Sequence, residues 1–351
     1  MKIVGIKMKR KSIIVTVFFT LILVLAACTD GEPATNEPAQ SDTDATEETD
    51  EDVNANDENS AAPHTELQKF DEGDAVTELQ NTLEQIGYTL PTDGIYSDVT
   101  TWAITDIQLQ LDDLDVTGIY DEATQLALRN ILSGELTVKA GDGLPPLAEP
   151  VTTGSGSLVV GNPYDQLAII NKERALPDDY IPHDLVVSDV SFPFEEDLPK
   201  KQLRAPAATA LEELFNEAKV AGHELFAQSG YRGYDTQVSL FNAYASEHGE
   251  EEANIFSARP GESEHQTGLS MDITSTAVNY QLTTDFGDTP EGEWVAENAH
   301  KFGFIIRYPE GKEDITQYQF EPWHLRYVGI RAATEMFTNG QTMEEYFMVN
   351  E

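Results

Sequence analysis

Ser263-Glu264-His265-Gln266-Thr267-Gly268-Leu269-Ser270-Met271-Asp272 is the stretch around which the chain is organised. It sets two metal-ligating residue types, His265 and Asp272, seven positions apart, with Gly268 free to turn the backbone closely between them. Further on, Glu321-Pro322-Trp323-His324 adds a second histidine and a spare carboxylate. His265, Asp272 and His324 supply N, O and N donors. Three protein ligands leave a fourth position for water, and a neighbouring carboxylate can take that water's proton. This is the donor set of a catalytic zinc site, whereas a structural one closes with four protein ligands. Pro322 forbids an ordinary helix between Glu321 and His324, so the pattern is not the helical His-Glu-x-x-His arrangement. Glu321 then reads as the base rather than a ligand.

The surrounding sequence, residues 161–351, reads as one globular domain. Ile169-Ile170-Asn171-Lys172 reads as a short strand. Ala205 to about Ala221 has Ala208, Leu211, Leu214, Phe215 and Ala218 on one helical face and is stopped by Gly222. Leu225-Phe226-Ala227 reads as a strand delivering Ser229-Gly230-Tyr231-Arg232. Arg232 at its end is placed to stabilise a developing oxyanion or to grip a substrate carboxylate through its planar fork. A helix follows from Tyr234 to about His248, then a strand from Gly268 to Ile273, a helix from Trp294 to Phe302 and a last helix from Val328 to Phe337. Phe304–Tyr308 and Tyr318–Leu325 read as strands or edge segments. Helices around a small sheet define an α+β domain rather than regular βαβ winding. His64, His183, His223, His248 and His300 read as surface or core histidines, and Trp294 and Trp323 as core.

Toward the N-terminus, residues 137–160 carry Gly-Asp-Gly-Leu-Pro-Pro and Thr-Thr-Gly-Ser-Gly-Ser, a linker composition. Residues 66–136 contain a repeat: Gly94-Ile95-Tyr96 through Thr100 is echoed by Gly118-Ile119-Tyr120 through Thr124, each copy opening a helix. Val76, Leu79, Leu83 and Ile86 have helical spacing ahead of Gly87. Residues 28–65 read as an acidic, disordered tether with no apolar period. The first 27 residues pair a basic start (Lys2, Lys7, Lys9, Arg10, Lys11) with the apolar run Ser12–Ala27, which reads as a secretory signal. Leu25-Ala26-Ala27-Cys28 resembles a bacterial lipobox, which implies that Cys28, the single cysteine, becomes a lipidated N-terminus. An ordinary signal peptide or an uncleaved anchor helix are the alternatives, and all three place the rest of the chain outside the cytoplasm. One cysteine excludes an intrachain disulfide.

The 351-residue chain has a formal charge of −42, which becomes −47 without its first 27 residues, 16 Lys/Arg against 63 Asp/Glu. Such acidity argues against nucleic-acid binding, which needs Lys and Arg against phosphate. It fits solubility in a saline or alkaline habitat.

Two further resemblances carry function. Gly73-Asp74-Ala75-Val76, Leu79-Gln80, Leu83, Gly87-Tyr88, Asp93-Gly94, Thr100, Ile107-Gln108, Thr117-Gly118 and Thr124 resemble the three-helix peptidoglycan-binding domain found beside wall hydrolases. Ser263, His265, Gly268, Asp272, Glu321 and His324 fit the signature of the VanY-type zinc D-alanyl-D-alanine carboxypeptidases, Ser-x-His-x-x-Gly-x-Ala-x-Asp followed by Glu-x-x-His. Ser270 stands where that pattern has Ala. Asn171-Lys172, Ser229-Gly230-Tyr231-Arg232, Gln237, Ala258-Arg259-Pro260-Gly261, Arg307-Tyr308-Pro309 and Leu325-Arg326-Tyr327 also resemble that family. The resemblance implies a DD-peptidase/hedgehog-like α+β domain with a small antiparallel sheet, preceded by a small three-helix domain. It implies zinc held by His265, Asp272 and His324, Glu321 as base and then proton donor, and Arg232 at the oxyanion. It also implies Ser263 and Gln237 against the substrate's terminal residue. The expected activity is removal of the terminal D-alanine from peptidoglycan stem peptides. The alternatives are an L,D-carboxypeptidase on tetrapeptide stems, with specificity in loops such as 274–292, and a non-catalytic wall-binding lipoprotein.

Overall fold

The computed structural model describes residues 62–146 and 150–350. The stretches read as a secretory signal and an acidic tether, with Cys28, lie outside the described residues as far as residue 61. Among the described residues no helix is long and apolar enough to cross a membrane.

The first three helices are α1 (Asp74–Gln85), α2 (Asp98–Leu109) and α3 (Glu122–Ser133). They close around Val76, Leu79, Leu83, Tyr96, Ile104, Ile107, Tyr120 and Leu128, all fully buried. The sequence repeat has a physical basis in two glutamines. Gln80 accepts from the Gly94 amide at 2.9 Å and donates to the Ile95 carbonyl at 2.9 Å. Gln108 accepts from the Gly118 amide at 2.8 Å and donates to the Ile119 carbonyl at 2.9 Å. Each buried amide thus replaces the partners that a tight Gly-Ile-Tyr turn cannot find in itself. Ala62, counted with the tether by composition, is buried in this module, and the Tyr120 hydroxyl donates to the Pro63 carbonyl at 3.0 Å.

Residues 137–146, at the start of the linker-like segment, pack onto α2. Asp106 is buried and accepts from the amides of Gly141, Gly143 and Leu144 at 2.9, 2.8 and 2.6 Å. A buried carboxylate requires such partners, and here the Gly-rich backbone supplies them. At the far end of that segment, β1 (Leu158–Val159) pairs in parallel with β2 (Arg174–Ala175). The strand expected at 169–172 is therefore displaced to 174–175. Ile169 and Ile170 are buried as loop residues instead of pairing.

Downstream, β3 (Leu185–Val187) pairs with β4 (Gln202–Arg204), which runs straight into α4 (Ala205–Val220). Then come β5 (Phe226–Ser229), α5 (Tyr234–His248), α6 (Glu250–Phe256), β6 (Ser270–Thr274), α7 (Pro290–Asn298), β7 (Phe304–Ile306), α8 (Glu313–Thr316), β8 (His324–Tyr327), α9 (Ile330–Asn339) and α10 (Met343–Asn350). Four strands form the central antiparallel sheet in the order β5-β6-β8-β7. The segment 318–323, read as extended, stays outside the sheet, and helices α6, α8 and α10 have no counterpart in the sequence reading. The helix read as Trp294–Phe302 starts at Pro290 and tightens into a 3-10 turn over Ala299–Phe302.

Strand periodicity divides the sheet chemically. Met271, Ile273, Leu325 and Phe304 join Leu211, Leu214 and Ala218 of α4 and Val295 of α7 in one apolar core. Ser270 and Asp272 on β6, with His324 and Arg326 opposite them on β8, hold the other set of positions. Every residue of β6 is buried, so this polar row is covered too.

The helical module is fastened to this domain. Phe70 meets Tyr346 and Phe347 of α10 edge-on, with ring centroids 5.8 and 5.0 Å apart. Lys69 pairs with Asp165 at 3.1 Å, the Gln166 amide donates to the Thr117 carbonyl at 3.0 Å, and Arg331 pairs with Asp71.

Candidate active site

Pairing of β6 with β8 sets Asp272 directly opposite His324. The 3-10 turn over Glu264–Thr267 carries His265, and it ends at Gly268 with φ +71°. A Cβ on Gly268 would lie 2.9 Å from Arg204 Cγ and 3.0 Å from Leu185 Cδ2, so glycine is required by both conformation and space. The close approach read from the sequence is thus made against the β3–β4 hairpin.

One potential ligand atom from each of His265, Asp272 and His324 lies within 4.8 Å of the other two, and all three side chains are buried. His265 Nδ1 is 2.9 Å from the Gly230 carbonyl, which makes that nitrogen the donor and leaves Nε2 with a free lone pair. This Nε2 lies 3.4 Å from Asp272 Oδ2. His324 Nδ1 lies 2.9 Å from Asp272 Oδ1, and its Nε2 lies 3.3 Å from Glu264 Oε2. Ligand bonds of about 2.0–2.1 Å in a tetrahedron put donor atoms about 3.3–3.4 Å apart. The 3.4 Å separation has that value, the 2.9 Å one is a hydrogen-bond distance, and the donor types and count suit a small divalent cation with one position left open.

Charge follows geometry. Burial opposes ionisation of Asp272, but His265 and His324 hold its carboxyl well below the usual carboxylate range. Burial and the nearby Arg232 push His265 down, keeping it neutral and able to ligate. Burial works against protonation of His324 as well. Hydrogen bonds to Asp272 and Glu264 outweigh it and push the imidazole up to about 9. Burial pushes Glu321 up to about 7, with the opposing pull of His324, the repulsion of Asp272 and the field of Arg232 all felt at its carboxyl. A carboxyl poised near neutrality beside a three-ligand cluster can accept and return a proton.

Arg232 follows β5, and its amide donates to the His265 carbonyl at 3.1 Å. Its guanidinium donates to Gln237 Oε1 at 3.0 Å. Gln237 on α5 donates in turn to the Ala258 carbonyl at 2.5 Å. Both ends of this amide are thus engaged within the protein, and it orients Arg232. Ser263 is buried at the start of the 3-10 turn, where its carbonyl accepts from the Gln266 amide at 3.1 Å.

The residue missed by the sequence reading is Glu264, an unassigned position inside the metal motif. It is fully buried. Its Oε1 accepts from Arg307 Nε at 2.7 Å and Arg326 Nη1 at 2.8 Å, and its Oε2 faces His324. Both arginines stand within segments the sequence comparison had marked, but a buried carboxylate between them is not visible from spacing. Tyr308 flanks His324 with ring centroids 5.0 Å apart. Among the other histidines, His300 stacks on Phe337 at 3.8 Å and His223 packs near Trp294, both away from the cluster.

The sheet carries a three-donor cluster able to hold a metal ion, and relatives place the chain more narrowly. Residues 200–330 match the family profile of VanY, D-alanyl-D-alanine carboxypeptidase, and residues 72–128 match that of a peptidoglycan binding domain. YodJ of Bacillus subtilis, assigned by its name as a carboxypeptidase, is 53% identical over 192 residues, covering 55% of this chain and 70% of that protein. A D-alanyl-D-alanine carboxypeptidase of Enterococcus faecalis is 34% identical over 219 residues, covering 58% of this chain and 78% of its own length. The solved structure of the LD-carboxypeptidase LdcB, described as revealing peptidoglycan recognition, is 50% identical with a TM-score of 0.55, covering 57% of this chain and 93% of that one. The chain belongs to the VanY-type D-alanyl-D-alanine carboxypeptidase family, and it carries a peptidoglycan-binding domain on the N-terminal side of the catalytic one.

Proposed function

We propose that this protein is a zinc-dependent carboxypeptidase that removes the C-terminal D-alanine from peptidoglycan stem peptides, acting on D-alanyl-D-alanine ends. The observation that carries this reading is the cluster of His265, Asp272 and His324 beside a carboxyl, Glu321, that burial pushes up to about 7. Zinc held by the three ligands would polarise the scissile carbonyl and acidify a water. Glu321 takes the proton of the attacking water as its oxygen bonds to the carbonyl carbon. Arg232 donates hydrogen bonds to the oxygen that gains charge. Glu321 then passes the proton to the nitrogen of the departing D-alanine as the C–N bond breaks. Ser263 and Gln237 are assigned to the substrate's terminal residue, and the hydrogen bond from Arg232 to Gln237 supports a further part for Gln237 in holding that arginine.

A second reading, L,D-carboxypeptidase on tetrapeptide stems, is favoured by the 50% identity to LdcB. Both reactions release D-alanine and differ in the residue before the cut. The lipobox-like end of the leader supports lipidation at Cys28 and attachment to the outer face of the membrane, with the peptidoglycan-binding domain at the wall.

Defined penta- and tetrapeptide stems incubated with the purified protein, followed by mass analysis, test the reading. The expected result is loss of one D-alanine from the pentapeptide, abolished by a chelator and by Glu321→Ala. Cleavage of the tetrapeptide alone would select the second reading. Undiminished turnover in Glu321→Ala sinks the mechanism.

A further inference from the structure

Glu264 sits in a charged chain that runs from the metal ligands to the last helix. On one side its Oε2 faces His324 Nε2 at 3.3 Å, and the Ser270 hydroxyl donates to the same oxygen at 3.3 Å. On the other side its Oε1 is gripped by Arg307 and Arg326, whose side chains are fully buried. Arg307 turns its remaining nitrogens to Glu344 on α10, Nη1 to Oε2 at 2.8 Å and Nη2 to Oε1 at 2.6 Å. Arg326 spends its other donors on the carbonyls of Gln166 and Ala168, at 3.1 and 2.9 Å. Two carboxylates and two guanidiniums therefore balance in charge. A buried ion network of this kind stabilises little compared with an apolar core, so its presence calls for another reason. The reason offered by the geometry is orientation. An imidazole with Nε2 held by one carboxylate can present only Nδ1, on the side of Asp272, to a shared cation.

We propose that Glu264 is a positioning residue of the metal centre that sets which nitrogen of His324 faces the metal, and that Glu344 of α10 anchors it through Arg307. This rests on the zinc reading of the cluster. A single 3-10 turn then supplies one ligand, His265, and the orienting group for another. The C-terminal helix, remote from the signature in sequence, becomes part of the centre's support.

Metal-free full-length protein and its Glu264→Gln, Glu344→Gln and Glu345→Gln variants are titrated with cobalt(II). Zinc affinity is measured by competition with a chromophoric chelator. Glutamine keeps the shape of the side chain and removes the charge. Zinc affinity is expected to fall about 10- to 100-fold in Glu264→Gln, with a changed cobalt d–d spectrum. Glu344→Gln gives a smaller loss in the same direction. Glu345→Gln, on the same helix as Glu344, touches only the pair with Lys312 and the bond from the Thr342 amide, and leaves both readouts unchanged. Unaltered affinity and spectrum in Glu264→Gln and Glu344→Gln overturn the proposal. If Glu264→Gln does not fold, Glu344→Gln decides alone. Wild-type protein that takes up no metal overturns the zinc reading, and this inference with it.

Discussion

At the scale of single residues, the site works by setting neighbouring groups to different protonation states. Burial penalises every charge there, so each ionised group is one that partners have rescued. His324 is the clearest case. Its folded value of about 9 exceeds the ordinary 6.5, so without metal it carries a proton at neutral pH. A cation must displace that proton, and zinc affinity is expected to rise about tenfold per pH unit up to about pH 9, which chelator competition from about pH 6 to about pH 8 would show. The sign for stability is the reverse. Stabilisation of the metal-free protein by this group is complete below the unfolded value of 6.5 and is lost as pH rises through about 9, so thermal unfolding of metal-free protein should occur at lower temperature in mild alkali. Arg232 offers a second test. Lysine keeps the charge but not the fork that reaches Gln237 and, on the proposed mechanism, the reacting oxygen. Arg232→Lys should lower kcat/KM on the order of 10²-fold while leaving metal affinity intact.

At the scale of elements, the site depends on register. Asp272 and His324 face each other because β6 and β8 pair antiparallel with Met271 and Leu325 held in the core. A slip of one residue would exchange the ligands for the core residues. Helix α4 presses on that core face through Leu211 and Leu214, both fully buried. Leu211→Ala should destabilise the protein by about 2–5 kcal/mol in denaturant unfolding. The helix itself was legible from its apolar spacing and from Gly222 at its end. Helix α10 was not: Met343, Tyr346 and Phe347 have the i, i+3, i+4 spacing of a helical face, but over a single turn, and their partners, Phe70 among them, are distant in sequence. The pairing at 174–175 was likewise hidden, since its partner strand, 158–159, lies in a stretch whose composition reads as linker.

At the scale of the whole molecule, the three-helix module and the catalytic domain are packed against each other. Phe70 adopts φ +79°, a conformation that costs a non-glycine residue energy, and it is held there by Tyr346 and Phe347. The same helix α10 carries Glu344, so one element faces the module with its rings and the metal network with its carboxylate. Phe70→Ala should loosen this contact. Limited proteolysis is expected to cut faster between residues 137 and 160, while release of D-alanine from a small soluble stem peptide stays unchanged. A slowed reaction on that peptide would mean that docking also shapes the catalytic centre.

The sequence by itself determined the α+β class and the helical repeat, and it singled out His265, Asp272, His324, Glu321 and Arg232, which the fold brings to one buried site. Each of these is written in local signals: residue types able to ligate, a proline that excludes helix, and apolar residues at periods of two or 3.6. Tertiary structure alone decided which histidine nitrogen is free, that Gln237 is occupied in orienting Arg232, and that Glu264 is neutralised by Arg307 and Arg326. Those facts depend on side chains brought together from distant positions and on their burial, which raises the cost of any charge left unpaired. The motif at Ser263–Asp272 therefore names two candidate ligands by itself, but the carboxylate within it acquires its partners only when β7, β8 and α10 close around it.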